Sequence, residues 1–238
     1  MFLFKKKKTI YKTGFLQGWV DYHCHILPAV DDGFSNLEDS LEALHAYERL
    51  GIAEVWLTPH TMEDMPNTTD DLRAKFKSFQ ESYLCDNESR ETKPVALHLA
   101  SEYMMDNLFE QHLSNNDFLT IGNGNNQVLV ETSYFNPPSH LIDKLTRLKK
   151  LGYFPLLAHP ERYMYMDFND YKTLRDMDVR FQLNLASLSG GYGSHVKKKA
   201  LRLLKENYYY YYGGTDLHRL ETLGSILDVD ASPIHFIA

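Results

Sequence analysis

A parallel α/β barrel is the fold class this sequence predicts, and three observations lead to it. Short apolar runs alternate with segments of helical period along most of the chain, as expected of repeated strand-helix units. Residues able to carry chemistry stand at the ends of those runs: His25, His60, Glu102, Glu131, His159, Asn184 and Asp216, spaced 25 to 42 residues apart. Such an interval holds one strand, one helix and two loops. An open sheet offers only the run ends beside its crevice, whereas a barrel gathers all of them at one mouth. The strand count is nearer seven than eight. At 238 residues and 27.7 kDa the chain suits one domain over 19–238 behind an extension, 1–18.

Trp19 to Leu27 reads as the first strand, closed by Pro28. Asp21, His23 and His25 are two residues apart, so an extended strand turns all three to one side. A helix follows from an Asn36 or Ser35 cap, with Leu37, Leu41, Leu44 and Leu50 on one stripe and Gly51 as its stop. Ile52 to Thr58 is the second strand, ending at Pro59-His60, and Thr61 to Asp71 is a polar loop over the mouth before a helix from Leu72 to Leu84. Val95 to Ala100 is strand-like with Glu102 closing it, Met105 to His112 is helical, and Asn115 to Gln127 has turn chemistry around Gly122-Asn123-Gly124. Gln127 to Val130 delivers Glu131, Pro138 to Leu151 is a helix stopped by Gly152, and Phe154 to Ala158 delivers His159. Phe168 to Met177 is helical, Arg180 to Leu185 a strand, and Ser194 to Glu206 a helix whose Lys197 to Lys199 face solvent. Aromatic propensity places Tyr208 to Tyr212 in a last strand, before Gly213-Gly214-Thr215 delivers Asp216 and His218.

Asp and Glu number 32 against 25 Lys and Arg, a net charge of −7 that argues against a nucleic-acid partner. Cys24 and Cys85 have no disulfide-framework spacing, which fits a reducing cytoplasm. No apolar run approaches the roughly 20 residues of a membrane span. At the start, Lys5 to Lys8 follow the apolar Met1 to Phe4, the reverse of a secretory signal, so a terminus docking its Phe residues is expected and stable membrane insertion is not.

His23, His25, Asp32, His60, Glu102, Glu131, His159, Asp216 and His218 are imidazoles and carboxylates, which are costly to desolvate unless metal or hydrogen bonds compensate. A donor set without thiolate suits Zn²⁺, Mn²⁺ or Fe better than Ca²⁺. Nine such groups exceed the needs of one ion, so two or three divalent ions about 3.5 to 4 Å apart are expected, lowering the pKa of a bridging water. Arg162, three residues past His159, is placed to fork two phosphoryl oxygens, and Arg219 is a second candidate phosphate contact. His112 and His140 read as structural or surface residues, and the Cys-x5-Arg pattern of thiol-based tyrosine phosphatases is absent.

Asp21-Tyr22-His23-Cys24-His25, Asp31-Asp32-Gly33, Thr58-Pro59-His60, Glu102, Glu131, His159-Pro160-Glu161-Arg162-Tyr163 and Asp216-Leu217-His218 together resemble the polymerase and histidinol phosphatase (PHP) superfamily. Within it they are most similar to the manganese-dependent bacterial protein-tyrosine phosphatases of capsular and exopolysaccharide operons. The resemblance covers roughly residues 18 to 220 and implies a distorted (β/α)7 barrel with a trinuclear site, manganese being the preferred metal. It implies a first ion on His23, His25, Glu102 and Asp216, with Glu102 bridging, and a second completed by Glu131 and His159. A third falls to Asp32, His60 and His218, and Arg162 matches the family's phosphate-binding arginine. Two departures stand out: Arg219-Leu220-Glu221-Thr222-Leu223 replaces a usual Gly-Arg-Pro-Pro stretch, and the extension before Trp19 is longer than usual.

The expected reaction is hydrolysis of phosphotyrosine on a protein tail, that of a bacterial tyrosine kinase. In that expectation a metal-bridged hydroxide would attack phosphorus while the ions and Arg162 would stabilise the equatorial oxygens. Met65, within the loop Met62 to Asn67, with Tyr134 and Phe135, is the candidate rim against the phenyl ring. The rivals are a small-molecule phosphatase of the histidinol-phosphate type, an amidohydrolase, a polymerase-associated nuclease and a silent binding domain. An amidohydrolase would place a lysine where this chain has Glu102 and Glu131; a silent domain would lack a ligand. Assembly into a homo-oligomer is left open.

Overall fold

The computed structural model describes residues 8–90, 92–122, 124, 126–209 and 212–234. Met1 to Lys7, Asn123, Tyr210 and Tyr211, on which parts of the sequence expectations fall, lie outside the described residues.

The strands in order are β1 (Val20–Cys24), β2 (Glu54–Leu57), β3 (His60–Thr61), β4 (Ala96–Leu99), β5 (Glu102–Met104), β6 (Gln127–Glu131), β7 (Phe154–Ala158), β8 (Arg180–Asn184) and β9 (Gly213–Gly214). The helices are α1 (Ile10–Thr13), α2 (Leu37–Leu50), α3 (Thr69–Asn87), α4 (Asn107–Asn115), α5 (Leu141–Lys150), α6 (Phe168–Asp176), α7 (Ser194–Lys205) and α8 (Leu220–Leu227). Every strand pairing is parallel, within one sheet ordered β1-β2-β4 and another ordered β3-β5-β6-β7-β8-β9. The last strand returns to the first: the Asp216 amide donates to His23 O at 2.8 Å and the His25 amide to Leu217 O at 3.0 Å. The sheet is therefore curled, in the manner of a distorted barrel.

Two strands predicted as continuous are broken. Pro59 has no N–H to give the ladder, so the second run splits into β2 and β3, and a matching break at Ala100-Ser101 splits the third into β4 and β5. Hydrogen bonds bridge the breaks: the Ala100 amide donates to Leu57 O and the Glu102 amide to Pro59 O. His60 and Glu102 thus open short strands instead of closing long ones, and they sit opposite each other in the pairing.

The middle strands are buried on both faces, as parallel strands under helices must be. Val128, Val130 and Leu157 join the large core beneath the helices, while Leu129, Leu156 and Ala158 join Trp56, Ala100 and Ile121 in a smaller cluster on the other face. Leu129 and Glu131 share that second face by alternation, which aims the carboxylate inward above an apolar floor.

Several local expectations are corrected. Helix α2 buries Ser40, Ala43, Leu44 and Tyr47, leaving Leu37 42 % exposed, because the face is turned to bring the Tyr47 hydroxyl 2.7 Å from Asp21. A register shift between Asp21 and Cys24 breaks the strand alternation, so Asp21 does not share the His23 and His25 face. It accepts from Tyr47 and Thr215. Helix α3 starts at Thr69 under a Thr68 cap that accepts from the Asp71 amide, and α5 starts only at Leu141, after His140 in a left-handed conformation. Tyr208 and Tyr209 are not strand: Tyr208 stacks on Phe181, and Tyr209 donates to buried Glu161 at 2.8 Å. Lys199 does not face solvent; its Nζ donates to Tyr163 O at 2.6 Å and Met166 O at 3.1 Å. Residues 8–10 pair with the segment 229–231, Ile10 being buried with its amide donating to Val229 O at 2.9 Å, and the Gly18 amide donates to Gly51 O.

Candidate metal centre

Nine imidazoles and carboxylates predicted from the run ends converge at one end of the curled sheet. His23 Nε2 lies 3.2 Å from Glu102 Oε2 and 3.4 Å from Asp216 Oδ1, and His25 Nε2 lies 3.5 and 3.4 Å from the same two oxygens. These four form one group able to share an ion. His60 Nδ1 stands 3.2 Å from Glu102 and 3.1 Å from Glu131, a second group. His25, Asp32, His60 and His218 form a third, with both His60 and His218 Nε2 atoms 3.5 Å from Asp32 Oδ1. His159 Nε2 reaches Glu102 Oε1 at 2.9 Å and Glu131 Oε2 at 3.9 Å. His60 therefore faces two groups at once, with a different ring nitrogen toward each.

The donor set fits metal ions on its own chemistry. Glu102 Oε2, Glu131 Oε1, Asp216 Oδ1 and His60 Nδ1, all facing the cluster, are buried without a properly formed hydrogen bond. A native interior rarely leaves one such atom unsatisfied, and four around one space call for a cation. The charges of the cluster also act on one another's protonation. Burial alone lowers the His23 pKa, but the Glu102 and Asp216 charges outweigh it and push it up to about 9. His25 is raised well above its usual value against the same burial, chiefly by Asp31. Glu102 is held well below the carboxylate range despite burial, by His23 and His159, and His218 holds Asp32 at about 2.

The backbone is unusual where two of these side chains are delivered. His159 has φ 33° and Asp216 φ 52°, left-handed values uncommon outside glycine, and His159 also precedes a proline. Such strain persists where the surrounding structure enforces it, commonly at functional sites. For Asp216 the enforcing contacts are visible: Asn184 Nδ2 and Arg162 Nη1 donate to its Oδ2 at 2.7 and 2.9 Å.

Arg162 comes from the 3-10 turn Pro160–Arg162 and reaches into the same cavity of about 410 Å³. Its partner is Asp216 and not Glu161, which is turned inward to accept from the Asn184 amide and Tyr209. Its guanidinium carbon lies 4.3 Å from the ring centroids of both Tyr134 and Tyr192. Arg219 and Thr222 also line this cavity. Met65 and Phe135 do not line it; Met65 borders a neighbouring depression with Asp32 and Asn67, and Phe135 is 73 % exposed. His112, as expected, is structural, its Nδ1 2.8 Å from Asp117 O.

Three contributors, Asp31, Gln182 and Tyr192, were missed from the sequence, and a fourth, Asn184, was marked as a run end without a role. Asp31 holds His25 Nδ1 at 2.7 Å, Gln182 holds His23 Nδ1 at 3.0 Å, Asn184 holds Asp216, and Tyr192 lies against Arg162. Asp31 had a local signal in its place beside Asp32, and Asn184 in its place at a run end; Gln182 and Tyr192 are brought in only by the fold.

A curled parallel sheet that gathers imidazoles and carboxylates with unsatisfied atoms beside Arg162 and Arg219 defines a barrel-like protein with the chemistry to hold metal ions. Residues 19–225 match the sequence profile of the capsular polysaccharide synthesis family CpsB/CapC, and the chain belongs to that family. Tyrosine-protein phosphatase YwqE of Bacillus subtilis is 28% identical over 206 residues, covering 85% of this chain and 78% of its own length. Tyrosine-protein phosphatase CpsB of Streptococcus pneumoniae is 26% identical over 209 residues, covering 85% of this chain and 84% of its own length. Among solved structures, one from work on those two proteins, described as metal-dependent tyrosine phosphatases, superposes with a TM-score of 0.77 at 25% identity. It covers 92% of this chain and 85% of that one. The expected kinship is thereby borne out. No helix among the described residues is long and apolar enough to cross a membrane.

Proposed function

We propose that this chain is a metal-dependent protein-tyrosine phosphatase, acting in the cytoplasm on the phosphorylated tail of a tyrosine kinase of polysaccharide synthesis or export. The observation that carries this is the convergence of the unsatisfied buried atoms Glu102 Oε2, Asp216 Oδ1 and His60 Nδ1 with the Arg162 guanidinium in one cavity. The ligands are His23, His25, Asp32, His60, Glu102, Glu131, His159, Asp216 and His218, holding two or three divalent ions, with manganese preferred over iron or zinc. Bound, the ions supply Lewis acidity and activate water as the nucleophile.

The chain's own residues do the rest. Asp31 and Gln182 fix the orientation of the His25 and His23 rings, so each turns Nε2 to the centre. Arg162 binds the phosphoryl oxygens through donors not engaged by Asp216, and Arg219 at the cavity edge adds a second contact. Asn184 keeps Asp216 in place when Arg162 turns to substrate. Counting β2 with β3 and β4 with β5 as split strands makes the barrel a (β/α)7 unit, a single domain over 19–238.

Metal content and turnover of the wild type, His25→Ala and His159→Ala, assayed on a phosphotyrosyl peptide beside histidinol phosphate, test this function. The expected result is metal-dependent cleavage of the peptide, lost with metal in both variants. A tenfold preference for histidinol phosphate, or full activity in the variants, overturns it.

A further inference from the structure

We propose that Tyr192 is a positioning residue that holds Arg162 for the phosphoryl group, acting through the arginine and not on the substrate ring. The inference rests on the phosphatase function above and deepens it. Arg162 Cζ lies over two rings, each centroid 4.3 Å away, so the cation is held by aromatic faces that consume none of its five N–H donors. One donor is engaged by Asp216, and the side chain is 17 % exposed at the cavity. A guanidinium held in this way keeps its in-plane edge for a planar, bidentate grip on an oxyanion.

Tyr192 is well placed for this role and poorly placed for a core role. It is 39 % exposed, and it sits in Gly190-Gly191-Tyr192-Gly193, where Gly190 and Gly193 take φ of 94° and 95°. These conformations fold the loop back over the arginine at little steric cost only if both residues are glycine. Helix α7, which begins one residue later, is tied by Lys199 to Tyr163 O and Met166 O, directly downstream of Arg162. Loop and arginine are thus registered through one helix. Tyr134, just after β6, offers the second ring, so one of its faces is taken by Arg162.

Inorganic phosphate tests the idea, because it has no ring for Tyr192 to touch. For the metal-loaded protein, Tyr192→Ala is expected to weaken phosphate binding in calorimetry by roughly 3- to 30-fold. KM for a phosphotyrosyl peptide rises by a similar factor, with kcat within about threefold and metal content at the wild-type level. Tyr192→Phe recovers most of the loss, and in an Arg162→Ala background Tyr192→Ala has no further effect on phosphate binding. Unchanged phosphate affinity in Tyr192→Ala, whether or not KM rises, overturns the proposal, as does equal loss in the Arg162→Ala background. Should the wild type bind phosphate yet fail to hydrolyse the peptide, the phosphatase function falls while the clamp is still decided by the phosphate titration.

Discussion

His25 gives its Nδ1 to the buried carboxylate of Asp31 at 2.7 Å, and that bond aims Nε2 to within 3.5 Å of both Glu102 and Asp216. Asp31 is itself fixed by the Gly33 and His60 amides, each at 3.0 Å. One carboxylate therefore sets the ring of one proposed ligand and the backbone of another. Its pKa is held below the usual value; burial raises it, but the His25 charge and hydrogen bonds outweigh that.

Asp31→Asn keeps an acceptor of similar shape but removes the charge that makes His25 a stronger donor to metal. Partners of this kind are worth about 10- to 100-fold in metal affinity. A chelator-competition titration should show a loss of that order.

Protons and metal compete for the same nitrogens, and the pH dependence follows with a definite sign. The folded His23 pKa, about 9, lies above the unfolded value of about 6.5. Its contribution to metal-free stability is complete below about pH 6.5 and is lost as pH rises through about 9. Metal binding must expel this proton, so affinity rises over the same range. Thermal unfolding from pH 6 to 9 should show the metal-free Tm falling, while the increment on adding Mn²⁺ grows.

The left-handed backbone at His159 can be separated from its side chain. Both His159→Ala and His159→Gly delete the proposed ligand, but only glycine adopts φ near 33° freely. The left-handed penalty for alanine is about 1 to 2 kcal/mol, and glycine's looser unfolded chain returns about 0.4 to 1 of it. Denaturant unfolding of metal-stripped protein should find the glycine variant more stable by about 0.5 to 1 kcal/mol, with metal binding impaired in both.

What the sequence made legible was whatever repeats at short range. Apolar runs closed by His or Glu mark strand ends because a polar group there has no apolar neighbour to satisfy, and every residue so marked reaches the site. Pro59, by contrast, split a run that hydrophobicity alone joined. The Tyr208 to Tyr212 run misled because propensity ignores what a ring packs on, here Phe181 and the Glu161 carboxylate. Gln182 reaches His23 across 159 residues, and Tyr192 meets Arg162 from a Gly-rich segment that reads as a plain turn. No window of sequence contains either pair.

Close approach at the seam between the last and first strands makes a final prediction, with an internal control. A Cβ added to Gly214 would lie 2.4 Å from His23 Cβ and 2.5 Å from Gln182 Nε2, the residue that orients His23. Neither neighbour yields easily, since both are fully buried and His23 is on the strand itself. Gly214→Ala should therefore destabilise by about 1 to 3 kcal/mol, as overpacking does, and weaken metal binding by displacing His23. Gly224, exposed within α8, has nothing within 4 Å of an added Cβ. There the same substitution should stabilise by up to about 1 kcal/mol through helix propensity and leave metal affinity unchanged. Opposite signs for one chemical change, measured by denaturant unfolding and metal titration on both variants, isolate the space that His23 occupies beneath Gly214.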